Sequence, residues 1–95
     1  MALSFATVRL AIPDRVVTRT VEGTTVLLNI ETGRSFALDE VGTRVWTLLT
    51  SSPSAQGAYE ALLAEYQVDP EELRRDVESL IESLGARDLV EIHAT

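Results

Sequence analysis

Two glycine turns, Glu22-Gly23 and Glu31-Thr32-Gly33, separate three segments that alternate with a period of two. Arg15 to Val21 sends Val17, Arg19 and Val21 one way and Val16, Thr18 and Thr20 the other. Thr24 to Ile30 places Val26, Leu28 and Ile30 on one face, and Arg34 to Leu38 separates Phe36 and Leu38 from the small Ser35 and Ala37. Period-two alternation of β-branched residues marks strands. Turns this short join antiparallel neighbours, with glycine supplying positive φ. The three segments predict an antiparallel meander whose third strand lies at a sheet edge.

Helical periodicity follows. Asp39 is suited to cap a helix by accepting an otherwise unpaired backbone N–H, and Val41, Val45, Leu48 and Leu49 recur behind it, with Trp46 beside the stripe. The run Thr50 to Ser54 interrupts the pattern. A second helix is predicted to about Tyr66, with Ser52 as cap, Pro53 in the first turn, and Ala58, Leu62 and Tyr66 inward. Asp69-Pro70-Glu71-Glu72 then combines a cap, a proline at the first helical position and acids at the positive end of the dipole. In the third helix, Pro70 to Ala86, Leu73, Val77, Leu80, Ile81 and Leu84 fall within about 100° of arc. Gly85 is expected to help end it. Leu89 to Ile92 is expected to form a closing strand or a packed tail.

Charge and composition exclude several functions. All eight basic residues are arginine against fifteen acids, giving a net charge of −7. Residues 1–38 carry four arginines against Asp14, Glu22 and Glu31, while residues 39–95 carry four against twelve acids. Phosphate-neutralising surfaces need the opposite sign, so generic nucleic-acid binding is disfavoured. The chain has no cysteine and no lysine, which removes thiolate nucleophiles, thiolate-bound zinc, Schiff bases and phosphate-loop lysines. Its single histidine, His93, is expected to be inert near a fraying end. The glycines never take the spacing of a phosphate or dinucleotide loop. Enzymatic activity is not expected, nor is a cofactor or metal site.

With 95 residues the chain suits one small domain. We expect a single domain over residues 10–95 preceded by an arm over residues 1–9. In that arm Leu3, Phe5 and Thr7 alternate with Ala2, Ser4 and Ala6, so it is suited to act as a strand in cis or to swap into a neighbour. No apolar run approaches the roughly 20 residues that cross a bilayer. The opening residues lack a basic start before an apolar stretch. A cytoplasmic location is expected.

The expected fold is α+β and winged helix-turn-helix-like, a three-stranded antiparallel sheet followed by three helices. The stretches VLLNIETGRSFALDEVGTRVWTLL, VDPEELRRDVESLIESL and the terminal LVEI resemble, in order and spacing, the PqqD-like peptide chaperones. These are the stand-alone precursor recognition elements of ribosomal peptide (RiPP) biosynthesis. The resemblance covers about Leu10 to Ile92 and rests on three features. They are the Asn29–Gly33 hairpin leading into Phe36 and Leu38, the helix start with Gly42 and Trp46, and the Asp76-Val77 step. The serine-rich Thr50 to Gly57 departs from the glycine-containing loop of many relatives.

The resemblance implies a non-catalytic adaptor that binds the leader segment of a precursor peptide by strand addition and delivers it to maturation enzymes. The partners implied are the precursor and an enzyme such as a leader peptidase or a radical enzyme, in a lasso-peptide, quinone-cofactor or related pathway, with no nucleic acid or membrane. Mapped onto this chain, the receiving edge is Arg34, Ser35, Phe36, Ala37 and Leu38. The wall is Leu73, Asp76, Val77, Leu80 and Leu84, with Arg74 and Arg75 as rim contacts. The expected state is a monomer or a strand-swapped dimer. Two other functions remain open at this point: a winged-helix regulator contacting DNA, and a dimerisation scaffold without a peptide ligand. The regulator fits poorly, because residues 70–88 carry three arginines against six acids.

Overall fold

The computed structural model describes residues 4–94. Its elements in chain order are β1 (Val8–Ala11), β2 (Val16–Val21), β3 (Thr24–Asn29), β4 (Ser35–Leu38), α1 (Glu40–Ser51), α2 (Ala55–Glu65), α3 (Pro70–Ala86) and β5 (Glu91–Ala94). The meander forms as predicted, in the order β2-β3-β4, with Val17 opposite Leu28 and Val26 opposite Ala37. Glu22 and Gly23 both take positive φ, 51° and 82°, as a two-residue hairpin turn matched to strand twist requires. The three helices follow, and the α+β, winged-helix-like architecture is complete.

Alternation alone left open which sheet face turns inward. The buried set is Thr25, Leu27 and Asn29, while Val26, Leu28 and Ile30 stay 50%, 39% and 62% exposed. Leu27 is apolar enough to seat the helices, and the two polar neighbours are satisfied. The Thr25 and Thr20 hydroxyls share a hydrogen bond of 2.9 Å, and Asn29 is fully bonded. Both faces of β3 carry aliphatic side chains, so the choice was made by the helices rather than by the strand.

Asn29 is 0% exposed and works in two directions. Its Oδ1 accepts from the backbone N–H groups of Glu31 (2.9 Å) and Thr32 (3.1 Å), shaping the turn into β4. Its Nδ2 donates to the Asp88 carbonyl at 2.8 Å, just past α3. Asp88 sits there with φ 55°. Leu89 N–H bonds the Leu84 carbonyl and Asp88 N–H the Gly85 carbonyl, a helix end closed by a left-handed residue. The terminator is therefore Asp88 rather than Gly85. Gly85 instead lets Ile92 pack close to α3: a Cβ on it would stand 3.0 Å from Ile92 Cδ1, which would have to shift.

Caps account for the helix starts. Asp39 Oδ1 accepts from Gly42 N–H at 2.7 Å, and Asp69 Oδ2 accepts from Glu72 N–H at 3.0 Å. A Cβ on Gly42 would meet Asp39 Oδ1 at 3.2 Å and Leu38 Cδ2 at 3.3 Å, so the approach of β4 to α1 requires glycine. The second helix departs from expectation. Ser54, not Ser52, is its cap, and Pro53 precedes the helix. Starting at Ala55 buries Ala55, Ala58 and Leu62 along one stripe, and both serines offer the same local chemistry.

The chain ends also differ from expectation. β1 was not foreseen, its alternation being only four residues long. It pairs antiparallel with β5, Val8 opposite Ala94 and Leu10 opposite Ile92. His93 is therefore held opposite Arg9, with Nε2 3.4 Å from Glu91 Oε1, and is not on a frayed end. Leu3 of the expected arm lies outside the described residues. Residues 5–7 form a turn instead of a strand, with Thr7 N–H bonded to the Ser4 carbonyl at 3.0 Å. Phe5 is 1% exposed and its carbonyl accepts from Gln56 N–H at 2.9 Å. The Phe5 ring gains more from burial against α2 than an extended arm would from solvated alternation.

Removing the Asn29 carboxamide strands two turn N–H groups and the Asp88 carbonyl. Asn29→Ala is expected to lower unfolding free energy by about 2 kcal/mol, with Asn29→Asp, which keeps the acceptors but sets a buried carboxylate oxygen against the Asp88 carbonyl, losing at least as much at neutral pH. Urea denaturation of the two variants measures this.

Candidate functional site

The third strand of the meander, β4, pairs with β3 along one side. Among the described residues no strand pairs with its other side. Asn29 N–H donates to the Arg34 carbonyl at 2.9 Å, which makes Asn29–Arg34 a hydrogen-bonded pair. Bonded and non-bonded pairs alternate along an antiparallel ladder. Leu27–Phe36 and Thr25–Leu38 are thus bonded pairs, and Phe36 and Leu38 spend their main-chain groups on β3. Ser35 and Ala37 turn theirs toward the open edge. Both are exposed, and neither side chain is large.

Phe36 and Leu38 point to the inner side with Leu27. Leu38 is buried, while Phe36 is half-buried and packs on the core. α3 meets this strand at its C-terminal end, through Ala86 and Arg87, and its apolar stripe divides by depth. Val77, Ile81 and Leu84 are buried at 1%, 0% and 0%, whereas Leu73 and Leu80 are half-buried and reach the surface. Of the expected wall, Leu73, Leu80 and the exposed Asp76 are at the surface, and Val77 and Leu84 lie beneath it as supports.

β4 and α3 are pinned together at one end. Arg34 Nη1 donates to the Ala86 carbonyl at 3.3 Å, the Arg87 guanidinium carbon lies 5.0 Å from the Phe36 ring centroid, and Asn29 holds the Asp88 carbonyl. Toward the start of α3, Gln67, Val68, Asp69, Glu72, Leu73 and Asp76 line a pocket of about 280 Å³. The result is an open ladder edge with the half-buried Phe36 on its inner side and the end of α3 next to it. Such an arrangement takes an extended peptide: main-chain bonds supply affinity, and alternate side chains enter the flanking pockets.

The two rim arginines separate. Arg75 is exposed. Arg74 lies 4.2 Å from the Phe5 ring centroid and 5.9 Å from that of Tyr59, and these two rings meet edge-on at 5.7 Å. About 100° of helix rotation separates Arg74 from Leu73, and this turns it toward the N-terminal segment. Arg87 was missed as a site residue. Its signal in the sequence was its place on the wheel near Asp76 and Leu80, outside the apolar stripe.

Elsewhere, Arg44 on α1 forms a bidentate pair with Glu65 at the end of α2. Hydrogen bonding to Arg44 holds the Glu65 carboxyl below its ordinary range and raises Arg44. Whatever the pair adds to stability is present at neutral pH and lost as pH falls through the lowered Glu65 value. It is solvent-exposed and a minor support. Among the described residues, no cluster of metal-ligating side chains occurs and no helix is long and apolar enough to cross a membrane.

Comparison with known proteins identifies relatives of this chain. A family model described as coenzyme PQQ synthesis protein D (PqqD) matches residues 24–90. The structure of TbiB1 in complex with the TbiA(beta) leader peptide is similar at a TM-score of 0.77 and 36% identity, over 84% of this chain and 93% of that one. A lasso peptide synthetase B1 complexed with the leader peptide shares the fold at a TM-score of 0.78 and 19% identity, over 87% of this chain and 98% of that one. No curated protein matches in sequence.

Arg74→Ala removes a cation stacked on two rings. It is expected to lower unfolding free energy by about 1 kcal/mol and to speed exchange of the Gln56 amide, which bonds the Phe5 carbonyl. Hydrogen exchange of the variant checks both.

Proposed function

The chain belongs to the PqqD family, and we propose that it is a non-catalytic adaptor that binds the leader segment of a ribosomally made precursor peptide. The leader adds antiparallel to β4 and lays alternate side chains between Phe36 and the surface of α3. The observation that carries this is the outward-turned main chain of Ser35 and Ala37 on an edge whose Phe36 meets Arg87 at the end of α3. It is supported by the 36% identical TbiB1, which was solved with a leader peptide. Edge strands are ordinarily protected by charge, proline or a covering element. Here the described part of the N-terminal segment is held at α2 and α3 instead.

Strand addition extends a sheet in its own plane and leaves its faces free. The outer face, with Val17 52%, Val26 50% and Leu28 39% exposed, therefore stays available beside the bound leader. A maturation enzyme that receives the leader complex is the second partner in this reading. A lasso-peptide pathway suits the fold shared with the lasso peptide synthetase B1. The DNA-regulator alternative has little support, since α3 presents Glu71, Glu72 and Asp76 among its exposed residues and would carry them into a phosphate-lined groove.

Titration of a labelled leader peptide, taken from the precursor encoded beside this gene, tests the proposal. Binding in the micromolar range or tighter is expected, with amide shifts concentrated at Ser35 and Ala37 and no steep salt dependence. Ala37→Pro deletes an N–H that faces the open edge, where proline is tolerated. It is expected to keep its thermal unfolding transition and lose at least about tenfold in affinity. Retained affinity in this variant, or duplex DNA displacing the leader, would refute strand addition at β4.

A further inference from the structure

Resting on the leader-binding reading above, we propose that Arg34 and Arg87 form a carboxylate clasp. It reads an acidic leader residue at one position and so sets the register of the added strand.

Both arginines converge on the last turn of α3. Arg34 Nη1 donates to the Ala86 carbonyl at 3.3 Å, and Arg87 Nη1 to the Ser83 carbonyl at 3.1 Å while its guanidinium covers Phe36. Carbonyls at a helix C-terminus carry partial negative charge and hold cations weakly. Each guanidinium keeps further N–H donors in its planar fork. Among the described residues neither lies within ion-pair distance of a carboxylate, whereas Arg44 pairs with Glu65. In a chain with fifteen acids and eight arginines, two unpaired guanidinium groups at one end of the edge strand are a local reversal of the overall charge.

Direction and facing specify the ligand. A leader antiparallel to β4 runs its C-terminal continuation past Ser35 to Arg34. Side chains alternate across a strand, so the leader residues opposite Phe36 and Arg34 share the inner side, facing α3. The acidic residue therefore belongs opposite Arg34, the second residue after the one opposite Phe36. There it can exchange weak carbonyl contacts for charge-assisted, bidentate bonds. The exposed Glu71, Glu72 and Asp76 toward the start of α3 disfavour an acidic residue further along the groove, so slipping the register carries a penalty as well as a loss. Specificity built from both terms is stronger than from attraction alone.

The test uses the full chain and a fluorescein-labelled synthetic leader from the precursor encoded beside this gene, with its acidic residue opposite Arg34 kept or changed to the amide. Arg34→Gln and Arg87→Gln are each expected to weaken the acidic leader about tenfold. Their effect on the amide leader should be several-fold smaller, so that the losses do not add. Arg9→Gln, which makes the same change in net charge on β1, is expected to bind both peptides as the parent does. Thermal unfolding confirms that each variant is folded, and Arg87→Lys is expected to restore only part of the affinity. Equal binding of the two peptides by the parent protein, or losses in Arg34→Gln and Arg87→Gln that add to the peptide change, overturns the clasp alone. Failure of the parent to bind either leader overturns the adaptor reading and the clasp together.

Discussion

The Asn29 carboxamide joins two structures that local propensity cannot bring together. One side of it shapes the hairpin turn that launches β4; the other holds the carbonyl just beyond α3. The separation between edge strand and helix, on which the groove depends, is set at this buried point. Burial makes the constraint strict, because an amide with no access to water must find its partners within the protein. A different crossing of strand and helix would separate the Asn29 Nδ2 donor from the Asp88 carbonyl, which makes the arrangement discrete rather than adjustable.

Around that point the molecule keeps stability and recognition on different surfaces. Val77, Ile81 and Leu84 bury one side of α3, and Leu73 and Leu80 reach the surface from the adjoining arc. Phe5, Tyr59 and Arg74 lock the N-terminal segment at α2 and α3, and β1 with β5 ties the two ends of the chain. These contacts hold the chain's own extended segments away from the edge. A domain this small has little surplus core, so an unprotected edge and an exposed aliphatic face are costs it carries for binding.

Much of the site was legible because its main parts are local. The turns at Glu22-Gly23 and Asn29–Gly33 defined the edge strand, and Asp69-Pro70 with the stripe that follows defined the helix beside it. Ser35, Phe36 and Ala37 lie on the expected edge strand, and Leu73, Asp76 and Leu80 on the expected third helix. Arg74 and Arg87 were not separable by spacing, since each flanks the stripe. Only the packing of Phe5 on one side and Phe36 on the other distinguishes them. β1 escaped because four alternating residues carry little signal without their partner, and Ser52 and Ser54 are equivalent caps until the burial of Ala55 selects one.

The sequence by itself determined where strands turn, where helices begin and which stripe of α3 is apolar, because these follow from φ preferences, caps and periodicity within a few residues. Tertiary structure alone decided which face of β3 is inside, where each arginine lies and that β5 closes on β1. Those outcomes depend on partners tens of residues away, as with Asn29 and Asp88, and on satisfying buried polar groups that no local pattern can count.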